Sequence, residues 1–362
     1  MKRMPGVLAV GALGLSLALT GCGSDSGDSG DSGDGGSASE GKIGVILPDT
    51  ESSVRWESYD RPALEAEFKD AGVEYDIQNA QGDKDQMTKL ADSMISSGVT
   101  VLAITNLDNA SGAAIQEKAK SQGIATIDYD RLTLGGSAEY YVSFVNSKVG
   151  ELQGQGLQDC LGQDKKANIV YLNGSPTDSN ATDFSKGAHS VLDENTNYKV
   201  VAEQAVPDWD NDLADDIFEQ MYTQANGKID GVLAANDGLG GAAISILEKN
   251  GLAGKVPVTG QDASEEGLNR VVRGTQCMSV YKSPKLQAKA LADLAIGLTK
   301  GEKGETNATV PDTEGGRDVP SVLLEPVLVT KDNVQDVIDD GTARAAEVCK
   351  GVEKQCEEAG IG

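Results

Sequence analysis

From Lys42 onward, short continuous apolar runs alternate with longer stretches in which apolar residues recur every three or four positions. The first pattern is that of strands buried on both faces and the second that of helices with one apolar stripe, so the chain reads as a βαβ series. "KIGVIL" (42–47) predicts a strand, and "RPALEAEFKDAG" (61–72) a helix with Pro62 in its first turn and Gly72 as its stop. A strand near 74–78, a helix over 84–97, a strand over 100–105, a helix over 110–122 and a strand over 124–129 follow. A second series begins after "YYVSFVN" (140–146), with strands near 168–172, 198–203, 229–234, 256–259 and 277–281 separated by helices. Two successive doubly wound parallel sheets are the simplest α/β architecture that hides such strands on both faces. Roughly 320 residues exceed one ordinary core and suit two lobes.

The N-terminus departs from this rhythm. "MKRMPGVLAVGALGLSLALTGC" (1–22) has a basic start, an apolar run too short for a secure membrane span, and small residues before a cysteine, which predicts a signal peptide and export. Leu19, Thr20, Gly21 and Cys22 resemble the lipobox of bacterial lipoproteins, in which the cysteine carries the lipid. The "GSDSGDSGDSGDGGSASEG" that follows (23–41) has no apolar surface to bury and predicts a flexible, self-repelling tether. The folded body is thus expected on the outer face of the cell membrane, held there by the N-terminal lipid alone and as a monomer.

Charge narrows the partner. The formal net charge is −26, and removal of Lys2 and Arg3 with the signal makes it −28. Nucleic acid and anionic phosphate surfaces would be repelled, and a neutral solute is favoured. Four cysteines remain after Cys22, an even number in an oxidising compartment. Cys349 and Cys356 are close enough in sequence to close a small loop in the tail; Cys160 and Cys277 would then form a long-range pair or remain buried thiols.

Polar clusters fall at the carboxyl ends of the predicted strands, where open parallel sheets bind ligands. Arg55 and Trp56 follow the first strand, Asn106 and Asp108 the third, Asp130 and Arg131 the fourth, and "GSPTDSN" (174–180) the first of the second series. Trp209, Asn236 with Asp237, Gln261 with Asp262, and Lys282 follow or end later ones. If the lobes face each other, these groups converge. Amides, carboxylates and cations suit sugar hydroxyls, which both donate and accept, and the chain's two indoles suit the apolar faces of a sugar ring. An enzyme is disfavoured. The first strand runs into "LPDTESSV" without a G-x-G-x-x-G, the single histidine, His189, sits in a helical pattern, and no Cys/His cluster suggests a metal. No cofactor is implied. A sugar-sensing repressor would require a basic DNA-binding headpiece and no export signal.

The stretches "DYDRLT", "NGSPTDSNA", "IDGVLAANDGLGGAAI", "VTGQDASEEGL", "GTQCMSVYK" and "VPSVLLEPVLVTKDN" closely resemble the bacterial xylose-binding and multiple-monosaccharide-binding proteins, solute receptors of ABC importers. The likeness extends from about Lys42 to about Thr342. It implies a type I periplasmic-binding fold, with two Rossmann-like lobes joined by three crossings near Asn146, Lys282–Ser283 and Val319–Pro320. The lobes would comprise 42–145 with 283–318 and 146–282 with 319–345, leaving a tail at 346–362. It also implies a permease and its ATPase as partners. Trp56 and Trp209 would sandwich a sugar, with Arg55, Asp130, Arg131, Asn180, Asn236, Asp262 and Lys282 on its hydroxyls and Asp178 and Asn106 as weaker candidates. The "NDG" at Asn236, where multiple-monosaccharide binders have "YDG", favours D-xylose. The spacing after Trp56 and the "PTDSN" loop depart from the xylose pattern and leave glucose, galactose, arabinose or several monosaccharides open, as is presentation of the sugar-bound form to a chemoreceptor or sensor kinase.

Overall fold

The computed structural model describes residues 41–362; the signal peptide, Cys22 and the tether up to residue 40 lie outside them. Twelve strands form along these residues: β1 (Lys42–Leu47), β2 (Glu74–Asn79), β3 (Val101–Ile104), β4 (Ala125–Tyr129), β5 (Tyr140–Phe144), β6 (Ala167–Asn173), β7 (Tyr198–Ala205), β8 (Gly231–Ala234), β9 (Ser279–Tyr281), β10 (Ala308–Asp312), β11 (Arg317–Leu324) and β12 (Val327–Val329). The first sheet has the order β10-β11-β5-β4-β3-β1-β2 and is parallel except for the edge strand β10. Alternation along β1 shows why it is apolar throughout. Ile43, Val45 and Leu47 pack under helices 61–70 and 284–299, whereas Ile46 faces Met87, Met94 and Ile115 of the helices on the other side.

The second sheet begins β7-β6-β8, all parallel. It continues through the segment 256–259, which bridges Val232 at Val258 but is not a regular strand, because Pro257 has no N–H to add to a ladder. Cys277 N–H to Val258 O (2.8 Å) and Val280 N–H to Gly260 O (3.2 Å) carry the sheet on to β9, and β12 closes it antiparallel.

The chain passes between the lobes three times. After β5 it enters helix 146–161, which packs on helix 179–192; after β9 it passes Lys282 and Ser283 into helix 284–299 on the first sheet; and β11 of the first sheet is followed by β12 of the second. The third passage therefore lies at Glu325–Pro326 and not near Val319–Pro320. Pro320 sits inside β11 opposite Thr309, and pairing to β5 starts at the next residue, Ser321, so its missing N–H falls outside that ladder.

Residues 346–362 pack as part of the second lobe. Val348, Val352, Cys356 and Ile361 lie against Leu268, Val271 and Val272 of helix 265–273, and Cys349 is bonded to Cys356. A second disulfide joins Cys160 to Cys277, with Cα atoms 6.5 Å apart.

Helices 146–161 and 179–192 approach backbone to backbone. A Cβ on Gly150 would overlap the carbonyl of Phe184, and one on Gly187 that of Ser147. Gly150→Ala must therefore separate the two helices, and a loss of about 3 kcal/mol is expected in urea denaturation; an unchanged midpoint would refute the close packing.

Candidate functional site

Loops at the carboxyl ends of strands from both sheets meet where the lobes face each other. One small cavity is lined there by Arg55, Trp56, Asp130 and Arg131 of the first lobe, by Asp178, Asn180, Trp209, Asn236 and Asp262 of the second, and by Lys282 at a crossing. Of the candidate sugar contacts, all but Asn106 are thus brought to one place; the strand-end carboxylates Asp108 and Asp237 are engaged elsewhere, Asp108 with Lys84 (2.6 Å) and Asp237 with the Ser264 N–H (2.8 Å). Asn106 is turned away: its Nδ2 donates to Thr133 Oγ1 at 2.7 Å, and its carbonyl accepts from Arg131 Nη1 at 3.2 Å. It supports Arg131 from behind.

The two tryptophans take symmetric roles. Trp56 is packed into the first lobe's core and Trp209 into the second's, each with an edge on the cavity. Their indole N–H groups are both anchored, Trp56 Nε1 to Ser52 Oγ (3.2 Å) and Trp209 Nε1 to Asp178 Oδ2 (3.1 Å). The aspartate after Trp209 is explained locally. Asp210 caps helix 211–224 by accepting from the backbone of Asp212 (2.9 Å) and Leu213 (3.0 Å), and Trp209 itself lies over Gly174, where any Cβ would overlap the ring.

The charges are buried and interlocked. Arg55, 3% exposed, forms a two-pronged pair with Asp60 (2.8 and 2.7 Å) and donates to Asp130 (3.0 Å) and to Gln287 (2.6 Å). Burial works against its charge, but Asp60 and Asp130 outweigh it and raise its pKa. For Asp130, burial favours protonation, yet Lys282, Arg55 and Arg131 hold its carboxyl down at about 2. Lys282 Nζ stands 3.8 Å from Asp130 and 3.7 Å from Asp262, beyond hydrogen-bond length, so its N–H donors stay available to whatever enters the cavity.

Several expected residues also hold the lobes together. Arg131 Nε lies 3.0 Å from Asp178 Oδ2; Asn180 Nδ2 donates to the Asp130 carbonyl (2.8 Å); and Asn236, which caps helix 237–249 through Leu239 N–H (2.9 Å), donates from Nδ2 to Ser52 O (3.2 Å). Asn180 Oδ1 in turn accepts from Asn146 at the first crossing (2.8 Å). The backbone is strained in the same loops. Of seven non-glycine residues with positive φ among the described residues, five are Asp130, Asp208, Trp209, Asp262 and Ala263. Such conformations persist only where the surroundings enforce them.

Four further residues line the cavity: Ser52, Ser53, Gln261 and Phe184. Gln261 stands with Asp262 among the strand-end groups of the sequence, and the serines adjoin the Arg55-Trp56 pair, so position alone pointed to them. Phe184 lies on the buried face of helix 179–192 and reads in sequence as ordinary core. Gln261 Oε1 has no partner among the described residues. No group of three or more His, Cys, Asp or Glu residues among them is arranged to hold a metal, and no helix among them is long and apolar enough to cross a membrane.

Residues 43–303 match the family described as periplasmic binding protein domain. The chain is 37% identical to the D-xylose-binding periplasmic protein of Escherichia coli (strain K12), over 86% of this chain and 93% of that protein. It is 33% identical to the multiple sugar-binding periplasmic receptor of Rhizobium radiobacter, with the same shares covered, 86% and 93%. Among solved structures, an ABC transporter solute binding protein from Clostridium phytofermentans with bound β-D-glucose superposes with a TM-score of 0.78 at 28% identity, covering 85% of this chain and 99% of that one.

The depressed pKa of Asp130 makes a prediction with a fixed sign. The folded protein keeps this carboxylate ionised to about pH 2, whereas the unfolded chain takes up the proton near pH 4. Its stabilisation is therefore present above about pH 4 and is lost as pH falls from about 4 toward 2, a difference of roughly 2.5 kcal/mol. Asp130→Asn is expected to be destabilised at pH 7, because buried cations lose their partner, and to show a shallower acid-side fall in urea midpoint than the parent. Parallel acid profiles for the two proteins would refute the assignment.

Proposed function

Because the chain belongs to the periplasmic binding protein family, a family of binding proteins and not of enzymes, we propose that it is an extracytoplasmic receptor that captures a monosaccharide, D-xylose foremost, and delivers it to the permease and ATPase of an ABC importer. The observation that carries this reading is the pair of indoles, Trp56 and Trp209, reaching one cavity from opposite lobes among charged groups able to donate to and accept from hydroxyls. Relatives named for D-xylose and for multiple sugars support the ligand class, and Asn236 in "NDG" supports the pentose. Small-ligand energetics favour enclosure. A pentose has about ten heavy atoms, so micromolar binding needs about −0.8 kcal/mol from each, which a site open to solvent would not readily supply. Arg55, Asp130, Arg131, Asn180, Asn236, Asp262 and Lys282 are proposed to serve the hydroxyls, and Asp178 to hold the second indole. Closure of the two lobes around the sugar is the hinge motion that three crossings permit.

Calorimetry of the mature body against xylose, glucose, galactose, arabinose and ribose tests the ligand. Xylose is expected to bind most tightly and to change the emission of nearly all the tryptophan, since both indoles lose water together. Trp56→Ala and Trp209→Ala are each expected to weaken binding by about 1–3 kcal/mol. Undiminished affinity in both would move the site elsewhere.

We further propose that Cys22 carries a lipid that anchors the body to the outer face of the membrane. Cys22→Ser should then release the protein from washed membranes into the soluble fraction; retention equal to the parent's would refute the anchor.

A further inference from the structure

The loop joining β1 to the first helix carries an acidic residue that does not line the sugar cavity. We propose that this residue, Asp49, is a positioning residue of the site: its carboxylate folds the loop so that Ser52 anchors the Trp56 indole and the loop meets the second lobe in a fixed shape. The proposal rests on the sugar-receptor reading for its consequence in binding, but not for its geometry.

Asp49 is 9% exposed. Its Oδ1 accepts from the backbone N–H of Glu51 (3.0 Å) and of Ser52 (2.7 Å), and its Oδ2 accepts from Ser52 Oγ (2.8 Å). A serine hydroxyl has one hydrogen to give. With that hydrogen committed to Asp49, Ser52 Oγ is left as an acceptor, and Trp56 Nε1 donates to it at 3.2 Å. The order Trp56 to Ser52 to Asp49 is thus fixed in direction by a carboxylate, which can only accept. All three residues belong to the first lobe, and Asn79 Nδ2 ties the Asp49 carbonyl to the end of β2 at 2.8 Å, so the arrangement does not depend on closure.

The other side of the loop faces the second lobe. Asn211 Nδ2 donates to Glu51 O (3.2 Å), Asn236 Nδ2 to Ser52 O (3.2 Å), and Ser53 Oγ to Asp262 Oδ2 (2.9 Å). Three successive residues therefore meet three separate segments of the opposite lobe. A loop already folded by Asp49 brings these groups into place without ordering them at the moment of binding.

The test separates positioning from stability. In a Trp209→Phe background Trp56 is the only tryptophan, and acrylamide quenching of the sugar-free protein reads how firmly its indole is held. Asp49→Ala and Ser52→Ala are expected to raise the quenching constant about threefold there, and, in the otherwise unaltered protein, to raise the xylose Kd about tenfold while the sugar-free Tm stays within a few degrees. Ser52→Thr keeps the hydroxyl and should restore both readouts. Asp49→Asn keeps the turn but presents an amide donor to Ser52 Oγ, and an intermediate Kd is expected. Quenching or Kd equal to the parent's in Asp49→Ala and Ser52→Ala would overturn the proposal, as would a Tm loss large enough to account for the weakened binding. Should Asp49→Ala not fold, Ser52→Ala with its threonine rescue decides the matter. If the unaltered protein bound none of the five sugars, the receptor reading would fail, and quenching would still judge the positioning.

Discussion

A carboxylate taken out of water is unfavourable by several kcal/mol unless its surroundings replace the hydration it lost. Asp130 is such a group, and its replacement partners come from every part of the molecule: Arg55 from the loop after β1, Gln287 from the helix after the second crossing, Asn180 from the second lobe, and Lys282 from the crossing itself. Charge compensation and lobe closure are therefore coupled. The first lobe supplies only part of what this carboxylate requires, and the remainder arrives when the second lobe and the crossing are in register. The same geometry places Asp130, Lys282 and Asp262 around one space with the Lys282 donors uncommitted, so a polar ligand is received by groups already fixed in position.

The second theme is double use. Asp178 accepts from the Asn180 N–H in the first turn of helix 179–192 and also holds the Trp209 indole; Asn236 caps helix 237–249 and also reaches Ser52 across the cleft. A residue that ends a strand and starts a helix is fixed by both, which is why these positions suit a binding site. The positive φ angles at Asp130, Trp209 and Asp262 are local costs of turning side chains inward from such ends, and the hydrogen bonds around them offset the strain.

Much of this was legible in the chain. Continuous apolar runs marked the buried parallel strands, and polar residues immediately after them marked the cleft, because strand direction alone decides which end of a parallel sheet is open. What escaped notice had physical reasons. Family resemblance places the third crossing near Val319–Pro320, but β11 pairs with β5 from Ser321 to Leu324, so the sheet carries the chain six residues further before the third passage. Asn106 stands at the right strand end, yet its amide is satisfied by Thr133, and no pattern in one sequence reveals which partner an amide has chosen. Phe184 was indistinguishable from core, since its packing and its edge on the cavity call for the same residue type. The tail stood apart only because the family likeness ends near Thr342, and its packing partner, helix 265–273, is distant in sequence.

The route of the chain has a consequence for the order in which the molecule is made. The first sheet is composed largely of residues before 145, but its cover over Ile43, Val45 and Ile127 includes helix 284–299, and its β5 edge is completed by β11. A polypeptide emerging from the ribosome amino end first would therefore leave part of the apolar face of β1, β3 and β4, the part not under helix 61–70, exposed until some three hundred residues had been synthesised. Vectorial, lobe-by-lobe folding is closed to it. A nascent chain unable to finish its first core remains loose while it is being elongated, which is the condition in which an unfolded thread can be passed through a narrow pore.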